Sequence, residues 1–321
     1  MIRVGFIGLN YHSHGPQIYG SIRKQSELFE VVGYCLPENE GEKYPEKLKC
    51  LEGLQELPLE ALLQDPTIDA LVIETDEIYL TKYALLAARA GKHIHMEKPG
   101  GADGESFAEL IQTMRESGKV FHTGYMYRYN PMIRDLLAQI RRGELGEIIS
   151  VEAQMNCSQK DIIRAWLQEM PGGQMFFLGC HLIDLILQIK GMPEKILPLS
   201  ANTDYGFAVL QYPEGVSFAK THAAERGGYA RRQLVVTGTE KTVEIKPLEW
   251  GSESKMFTTC TEYTSQSWGK EGEVSQSPYF DRYDTMMAAF AAYVEGRAVN
   301  PYTYDYELQL HRAVLAACGL K

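Results

Sequence analysis

The sequence contains no long apolar run, and its basic residues are outnumbered by acidic ones. Its 32 Lys and Arg residues stand against 42 Asp and Glu residues, for a formal net charge of -10. This balance excludes nucleic acid or an anionic membrane as the main partner, because both reward clustered Lys and Arg. No apolar run approaches the length of a membrane span, so we expect no membrane partner.

The sequence also has no closely spaced pair of cysteines. The six cysteines are scattered, and none forms a Cys-x-x-Cys motif. This usage indicates reduced thiols in a cytoplasmic protein. The start of the chain, residues 1–8, reads as a strand because it lacks the apolar core and cleavage site of a signal peptide. A chain of 321 residues is long enough for two domains.

The first third of the chain alternates strands with helices. Apolar runs at 2–7, 29–35, 68–73 and 120–125 are typical of buried strands, and helical patterns lie between them. Such alternation predicts an α/β fold with a doubly wound parallel sheet, which we assign to residues 1–124.

The remainder, residues 125–321, has a different pattern. Residues 149–155 alternate between apolar and polar, and turns at 213–215 and 238–241 predict two hairpins. We expect a second α/β domain with a large open, mainly antiparallel sheet that serves substrate binding and assembly into a homodimer or homotetramer. The last two helical patterns could pack back on the first domain.

The stretch 91–100 is the first that contains a candidate ligand-binding residue. It reads as a short strand that ends at Lys98-Pro99, since proline cannot continue a central strand. A lysine at the carboxyl end of a strand in an open α/β sheet points into the crevice where ligands bind. The alternative is an exposed turn with a surface lysine.

The turn after the first strand is where a dinucleotide would bind. The usual pattern there is Gly-x-Gly-x-x-Gly, but only Gly8 is present, with Asn10 and Ser13 at the other two positions. Asn tolerates left-handed dihedral angles and Ser can cap a helix, so the turn could still form. The alternative is a related domain that has lost tight cofactor binding.

The second cofactor determinant is an acid after the second strand. Leu36 occupies the expected position, and Glu38 could substitute for the acid that binds the ribose hydroxyls. Together with Glu40 it makes this corner acidic, which disfavours a 2'-phosphate and therefore favours NAD over NADP.

Four histidines raise the question of a metal site. His93 and His95 would share one face of a strand, and His12 and His14 lie in the first turn. No carboxylate or thiol signature accompanies them at recognisable spacing, so we interpret them as core or surface histidines and expect no metal.

The stretch 172–184 contains a second chemical pair. His181 and Asp184 are three residues apart and would be neighbours on a helix. A histidine beside a carboxylate is the usual arrangement of an oriented general base. The alternative is a structural pair.

Taken in order, these motifs resemble the glucose-fructose oxidoreductase, inositol dehydrogenase and rhizopine-catabolism (Gfo/Idh/MocA) family over nearly the whole chain. The resemblance depends on Gly91-Lys92-His93 leading into Glu97-Lys98-Pro99, and on Gly172-Gly173 leading into Gly179-Cys180-His181-Leu182-Ile183-Asp184. Tyr127-Arg128-Tyr129-Asn130-Pro131 and the Gly238-Thr239 hairpin add to it.

The resemblance implies a Rossmann domain, an NAD or NADP cofactor and a small polyhydroxylated substrate. In the family pattern Lys98 hydrogen-bonds the reacting hydroxyl, His181 takes its proton, and Asp184 contacts the substrate or orients that end of the site. Tyr127, Arg128, Arg164 and Trp166 could line a sugar site, although Arg164 and Trp166 are equally plausible as surface and packing residues. The implied cofactor-binding residues are Gly8, Asn10, Tyr11, His12, Glu38, Thr75, Glu97 and Lys98.

One departure from the family concerns catalysis. Phe177 stands where the family usually has an Asp, four residues before the histidine, and an apolar ring cannot accept a hydrogen bond. Our first hypothesis is an NAD(P)-dependent oxidoreductase that acts on a sugar, polyol or cyclitol-like compound. The alternatives are a catalytically impaired sensor or regulator that binds a nucleotide or sugar, and an enzyme of redox-assisted elimination.

Overall fold

The computed structural model describes residues 1–10, 12, 14–200, 202–252 and 255–320. In that part of the chain the strands are β1 (Ile2–Ile7), β2 (Phe29–Cys35), β3 (Ala70–Ile73), β4 (His93–Met96), β5 (Phe121–Thr123), β6 (Ile148–Asn156), β7 (Lys195–Pro198), β8 (Tyr205–Tyr212), β9 (Gly215–His222), β10 (Gln233–Gly238), β11 (Thr242–Ile245), β12 (Trp250–Ser252), β13 (Lys255–Phe257), β14 (Thr259–Tyr263) and β15 (Glu273–Gln276). The α-helices there are α1 (Gly15–Lys24), α2 (Glu40–Lys43), α3 (Leu59–Gln64), α4 (Leu80–Arg89), α5 (Gly104–Ser117), α6 (Pro131–Arg141), α7 (Asp161–Glu169), α8 (Cys180–Lys190), α9 (Asp284–Val294) and α10 (Tyr304–Ala317).

The chain divides into two compact units. The first comprises Met1–Tyr125 and Tyr283–His311, and the second comprises Met126–Arg282 and Arg312–Lys321. None of the described helices is both long enough and apolar enough to cross a lipid bilayer.

In the first unit β1 to β5 form a parallel sheet in the order β2-β1-β3-β4-β5. Every residue of β3 is buried, as expected for a strand covered on both faces. Because parallel strands end at the same edge of a sheet, the residues that follow β1, β3 and β4 lie side by side: Gly8, Glu74 and Glu97. This edge contains most of the residues expected to bind the cofactor.

Two predicted helix ends in this unit are confirmed. Pro16 lies in the first turn of α1, where its missing N–H is not needed. Gly118 follows α5 with a φ of 63°, and Asp103 caps the other end by accepting hydrogen bonds from the backbone N–H groups of Glu105 and Ser106.

The second unit is built on an eight-stranded sheet in the order β15-β14-β11-β10-β6-β9-β8-β7. All of its strand pairs are antiparallel except β6 with β9. Residues along β8 and β9 alternate between buried and partly exposed, which indicates one covered face. The two predicted hairpins are present as β8 with β9 and β10 with β11, and the predicted fold class is confirmed.

Candidate active site

In the first unit Lys98 is buried at the carboxyl end of β4. Only 1% of the residue is exposed, and its Nζ lies 3.5 Å from Oε1 of the fully buried Glu97. Gly124 makes this packing possible, because a Cβ there would lie 2.5 Å from Oε2 of Glu97. The Lys98-Pro99 peptide bond is cis. The lysine is therefore not the surface residue of the alternative interpretation.

Three buried carboxyl groups surround this position: Glu74 after β3, Glu77 beyond it, and Glu97. Burial raises the pKa of Glu77 to about 7, and raises that of Glu74 well above its usual value. Burial also raises the pKa of Glu97, and the ammonium group of Lys98 opposes the shift in all three. Burial therefore disfavours the ionised form of all three carboxyl groups.

The Gly8 turn is closely packed against the end of β3. Gly8 has a φ of 90°, and a Cβ on it would lie 2.5 Å from the backbone of Thr75. This position requires glycine, as the family pattern expects. Thr75, another expected cofactor residue, is fully buried there.

The N–H groups of this turn already have acceptors within the protein. Those of Gly8 and Asn10 donate to the carbonyl oxygens of Cys35 and Glu74, each at 2.9 Å. The Leu9 N–H donates to Oε2 of Glu40 at 2.9 Å, and the His12 N–H donates to Oδ1 of Asn10 at 2.8 Å. Tyr11 and Ser13 lie outside the described residues. In this conformation the described N–H groups of the turn are occupied, so a pyrophosphate that needs one of them must displace its present acceptor.

Glu40 is a residue that the sequence interpretation named only for its charge. It is fully buried on α2, and its Oε1 accepts from the Thr75 hydroxyl at 2.5 Å and from the Asp76 N–H at 3.2 Å. Burial raises its pKa to about 7, and the hydrogen bonds from Thr75, Leu9 and Asp76 oppose that shift. By contrast, Glu38 binds Lys82 and the Tyr83 hydroxyl on α4, at 2.6 and 2.7 Å.

His95 and His122 lie in the interior of this unit, whereas His12, His14 and His93 are partly exposed. Nδ1 of His95 and Nδ1 of His122 are 2.7 Å apart, and burial lowers the pKa of His95 to about 3, so it is neutral. His93 accepts a hydrogen bond from the Val120 N–H. Among the described residues no three His, Cys, Asp or Glu side chains are arranged to hold a metal ion.

In the second unit His181 is buried in the first turn of α8. The five preceding residues, Met175–Gly179, form a π-helical turn, a feature frequent at functional sites. The ring of Tyr127 meets the His181 ring edge-on, with centroids 5.2 Å apart. Burial raises the pKa of Tyr127, whose hydroxyl donates to Oε1 of Glu249 at 2.7 Å.

Arg128 and Asp184, two expected substrate residues, bind one another. Nη2 of Arg128 lies 2.8 Å from Oδ1 of Asp184, its Nε lies 3.1 Å from Oδ2, and both side chains are buried. Gln188 also donates to Asp184 at 2.8 Å. Asp184 therefore orients Arg128 rather than His181 in this arrangement.

The other two expected substrate residues lie on α7. Trp166 packs edge-on against Phe177, with ring centroids 5.1 Å apart. Arg164 is partly exposed and pairs with Asp204 at 2.6 Å and with Asp161 at 3.3 Å. In the described structure Arg164 forms surface ion pairs and Trp166 packs, which matches the second interpretation offered for each.

Sequence analysis missed a buried polar cluster beyond Tyr127. Arg232 lies 3.1 Å from Oε1 of Glu249 through Nη1 and 3.0 Å from the Cys157 sulfur through Nη2. Near this cysteine, Gln174 and Asn156 are fully buried, and among the described residues Oε1 of Gln174 and both amide atoms of Asn156 have no hydrogen-bond partner. None of these residues belongs to a motif, so no local pattern could have identified them.

Two family models match this chain. The model described as the oxidoreductase family with an NAD-binding Rossmann fold matches residues 2–125, and the GFO/IDH/MocA C-terminal domain model matches residues 133–244.

Individual relatives are distant. The chain is 22% identical to 2,7-anhydro-N-acetylneuraminate hydratase of Escherichia coli over 76% of this chain and 68% of that protein. It is 25% identical to scyllo-inositol 2-dehydrogenase (NADP(+)) of Bacillus subtilis over 61% of this chain and 53% of that protein, so the match spans about half of the latter.

Solved structures agree with the fold. A 3-ketoreductase from Actinomadura kijaniata, in complex with NADP and TDP-benzene, superimposes with a TM-score of 0.79 at 18% identity, covering 100% of this chain and 98% of that one. Since the two family models together cover more than half of its length, the chain belongs to the Gfo/Idh/MocA family of oxidoreductases.

Proposed function

We propose that this protein is an NAD(P)-dependent oxidoreductase that acts on a hydroxyl-bearing carbon of a sugar, polyol or cyclitol-like substrate. The observation that carries the proposal is the buried Lys98 beside Glu97 at the end of β4, in a chain that belongs to an oxidoreductase family. The named activity of one relative, a scyllo-inositol 2-dehydrogenase, supports this substrate class.

The two catalytic residues have distinct roles in this proposal. The ammonium group of Lys98 hydrogen-bonds the reacting hydroxyl and stabilises the developing alkoxide, an effect that strengthens in a dry site. His181 accepts the hydroxyl proton. A nicotinamide, when bound, supplies the hydride acceptor. NAD is the favoured form, because Glu38 places an acidic group in the corner after β2.

Glu97 is our candidate for the carboxylate that Phe177 does not supply. Of the two acids that could replace the missing Asp, Asp184 is already bound to Arg128, whereas Glu97 lies 3.5 Å from the Lys98 ammonium. A carboxylate this close holds the ammonium in place and favours its charged form.

A polyhydroxylated substrate suits the second unit. Asn156 and Gln174 bury amide atoms that lack partners among the described residues, and an amide can both donate to and accept from sugar hydroxyls. Tyr127, Arg128, Arg164 and Trp166 remain proposed substrate residues.

The partly exposed face of the eight-stranded sheet carries apolar side chains, namely Phe207, Phe218 and Val216, which support a homodimer or homotetramer assembled there. We expect the protein to be cytoplasmic.

The test begins with calorimetric titration of the purified protein with NAD+, NADH, NADP+ and NADPH. A panel of sugars and cyclitols is then assayed by the absorbance of the reduced nicotinamide. Lys98→Met should abolish turnover and leave the circular dichroism spectrum unchanged, whereas Lys82→Met, which removes a surface lysine paired with Glu38, should retain turnover. Unchanged turnover in Lys98→Met would contradict the proposed role of Lys98.

A second candidate function is a catalytically impaired sensor or regulator. The observation that favours it is the Gly8 turn, whose described N–H groups all donate within the protein. A protein that binds a sugar but no nicotinamide form, and turns nothing over, would favour this candidate.

A further inference from the structure

The chain between β2 and α3 folds over the Gly8 turn. This segment, residues 37–51, contains α2 between two short 3-10 helices and is called the cover here. Three of its side chains reach the ends of β1 and β3. Glu40 accepts from the Leu9 N–H, Lys47 donates from Nζ to the Asn10 carbonyl at 2.8 Å, and Tyr44 donates to Asp76 at 3.0 Å.

The cover closes the start of the turn to solvent. Leu9, Asn10, Thr75 and Glu40 have no exposed surface in the first unit. A ligand that needs the Leu9 N–H cannot use it while Glu40 accepts from it, whereas His12, further along the turn, is partly exposed. The Glu40 carboxyl group takes the place of such a ligand, because it accepts from a backbone N–H and from the Thr75 hydroxyl as an anion would.

We propose that the cover is an autoinhibitory latch, and that a dinucleotide binds only after the Glu40 carboxyl group has left the Leu9 N–H. The inference rests on the proposed function, since it assumes that the Gly8 turn binds a nicotinamide dinucleotide. The chain belongs to an NAD-binding family, yet all described N–H groups of the turn already donate within the protein. A latch that opens explains how both can hold.

The energetics favour a latch that can open. Burial penalises the ionised form of Glu40. When this side chain moves into water, the carboxylate regains its solvation, and this gain offsets part of the free energy lost with its hydrogen bonds. The charge of Asp76 after β3 also raises the pKa of Glu40. The other titratable groups that face Glu40 are Cys35 on β2, Tyr19 on α1 and Tyr44 in the cover, because the charge of Glu40 raises the pKa of each.

The latch predicts that removing Glu40 strengthens cofactor binding. In Glu40→Ala the Leu9 N–H loses the carboxyl group that accepts from it. We therefore expect this variant to bind NADH at least tenfold more tightly than the wild-type protein does, as measured by calorimetry. The matched control is Glu42→Ala, which removes an exposed acid of the same helix α2 and should leave the affinity unchanged. Hydrogen exchange of residues 37–51 should speed up when NADH binds the wild-type protein.

The outcomes separate the latch from the proposed function. If both proteins bind NADH and Glu40→Ala binds equally or more weakly, Glu40 is not a latch, although the proposed function stands. If only Glu40→Ala binds, both proposals are supported. If neither the wild type nor a folded Glu40→Ala binds any nicotinamide form, both proposals fail. Unchanged or slower exchange in the cover on NADH binding also overturns the latch.

Discussion

At the residue scale, Gly8 shows how one position fixes a turn. Its φ of 90° is a conformation that L side chains rarely adopt, and the Thr75 backbone leaves no room for a Cβ. The sequence named this residue correctly because the first glycine of the motif serves the same tight turn in any such domain.

We predict that Gly8→Ala lowers the free energy of unfolding by about 2–5 kcal/mol, from backbone strain and from overpacking against Thr75. Urea denaturation followed by circular dichroism measures this change. Gly20→Ala is the matched control, because a Cβ at Gly20, inside α1, meets no atom within 4 Å. This control should be neutral or stabilising, and an equal loss in both variants would contradict the explanation.

The buried pair of Arg128 and Asp184 is a second residue-scale case. We predict that Asp184→Ala lowers the free energy of unfolding by about 3–5 kcal/mol, because it leaves a buried guanidinium without its carboxylate. Gln188→Ala removes a neutral donor and should cost about 1 kcal/mol. The double variant with Arg128→Met should lose less than the sum of its single changes, and strict additivity would show that the pair does not act as a unit.

At the element scale, helix caps were readable from the sequence and the π-helical turn was not. Gly118 and Pro16 mark helix ends through backbone conformation alone, so a local signal suffices. The turn at Met175–Gly179 has no local signature. Gly179 allows Met175 to pack there, since a Cβ would lie within 2.2 Å of the Met175 sulfur.

The cap of α5 gives an element-scale prediction. Asp103→Ala removes the acceptor for the Glu105 and Ser106 N–H groups and should lower the free energy of unfolding by about 1 kcal/mol. Thermal denaturation measures it, with Glu105→Ala as a control that removes an exposed side chain and leaves the cap in place. A cost in the control as large as that in Asp103→Ala would assign the effect to charge in the first turn.

At the scale of the whole molecule, buried carboxyl groups should control the pH dependence of stability. Burial raises the pKa of Glu77 to about 7 in the folded protein, opposed by Lys98 and by a hydrogen bond from Asn10. A carboxyl group with a raised folded pKa contributes stability at low pH and loses it as pH rises through that value. Glu40, raised to about 7 by its own burial, acts in the same direction.

We therefore predict that Glu77 makes the free energy of unfolding fall as pH rises from about 5 to about 8, against an opposite contribution from His95, whose pKa burial lowers to about 3. One such group contributes a slope of at most about 1.4 kcal/mol per pH unit. Urea titrations at several pH values test this, and Glu77→Gln should flatten the profile because an amide does not titrate. A difference between the wild type and Glu77→Gln that does not change with pH would show that Glu77 does not ionise in this range.

Much of this protein was determined by sequence alone. Apolar runs and turns predicted both sheets, and ordered motifs identified the family, because these features depend on neighbours along the chain. The same local patterns predicted that Lys98 follows a strand and that His181 lies on a helix, and their catalytic roles stay a proposal.

Only the tertiary structure decided how the carboxylates are used. Glu40 accepts hydrogen bonds from Leu9 and Thr75, which are 31 and 35 positions away along the chain. Glu38 binds Lys82 on α4, and Asp184 binds Arg128. A carboxylate accepts hydrogen bonds from whichever donors the fold brings close, and the loss of water around it raises its pKa. Sequence spacing does not encode that choice, because it arises from packing between segments that are distant along the chain.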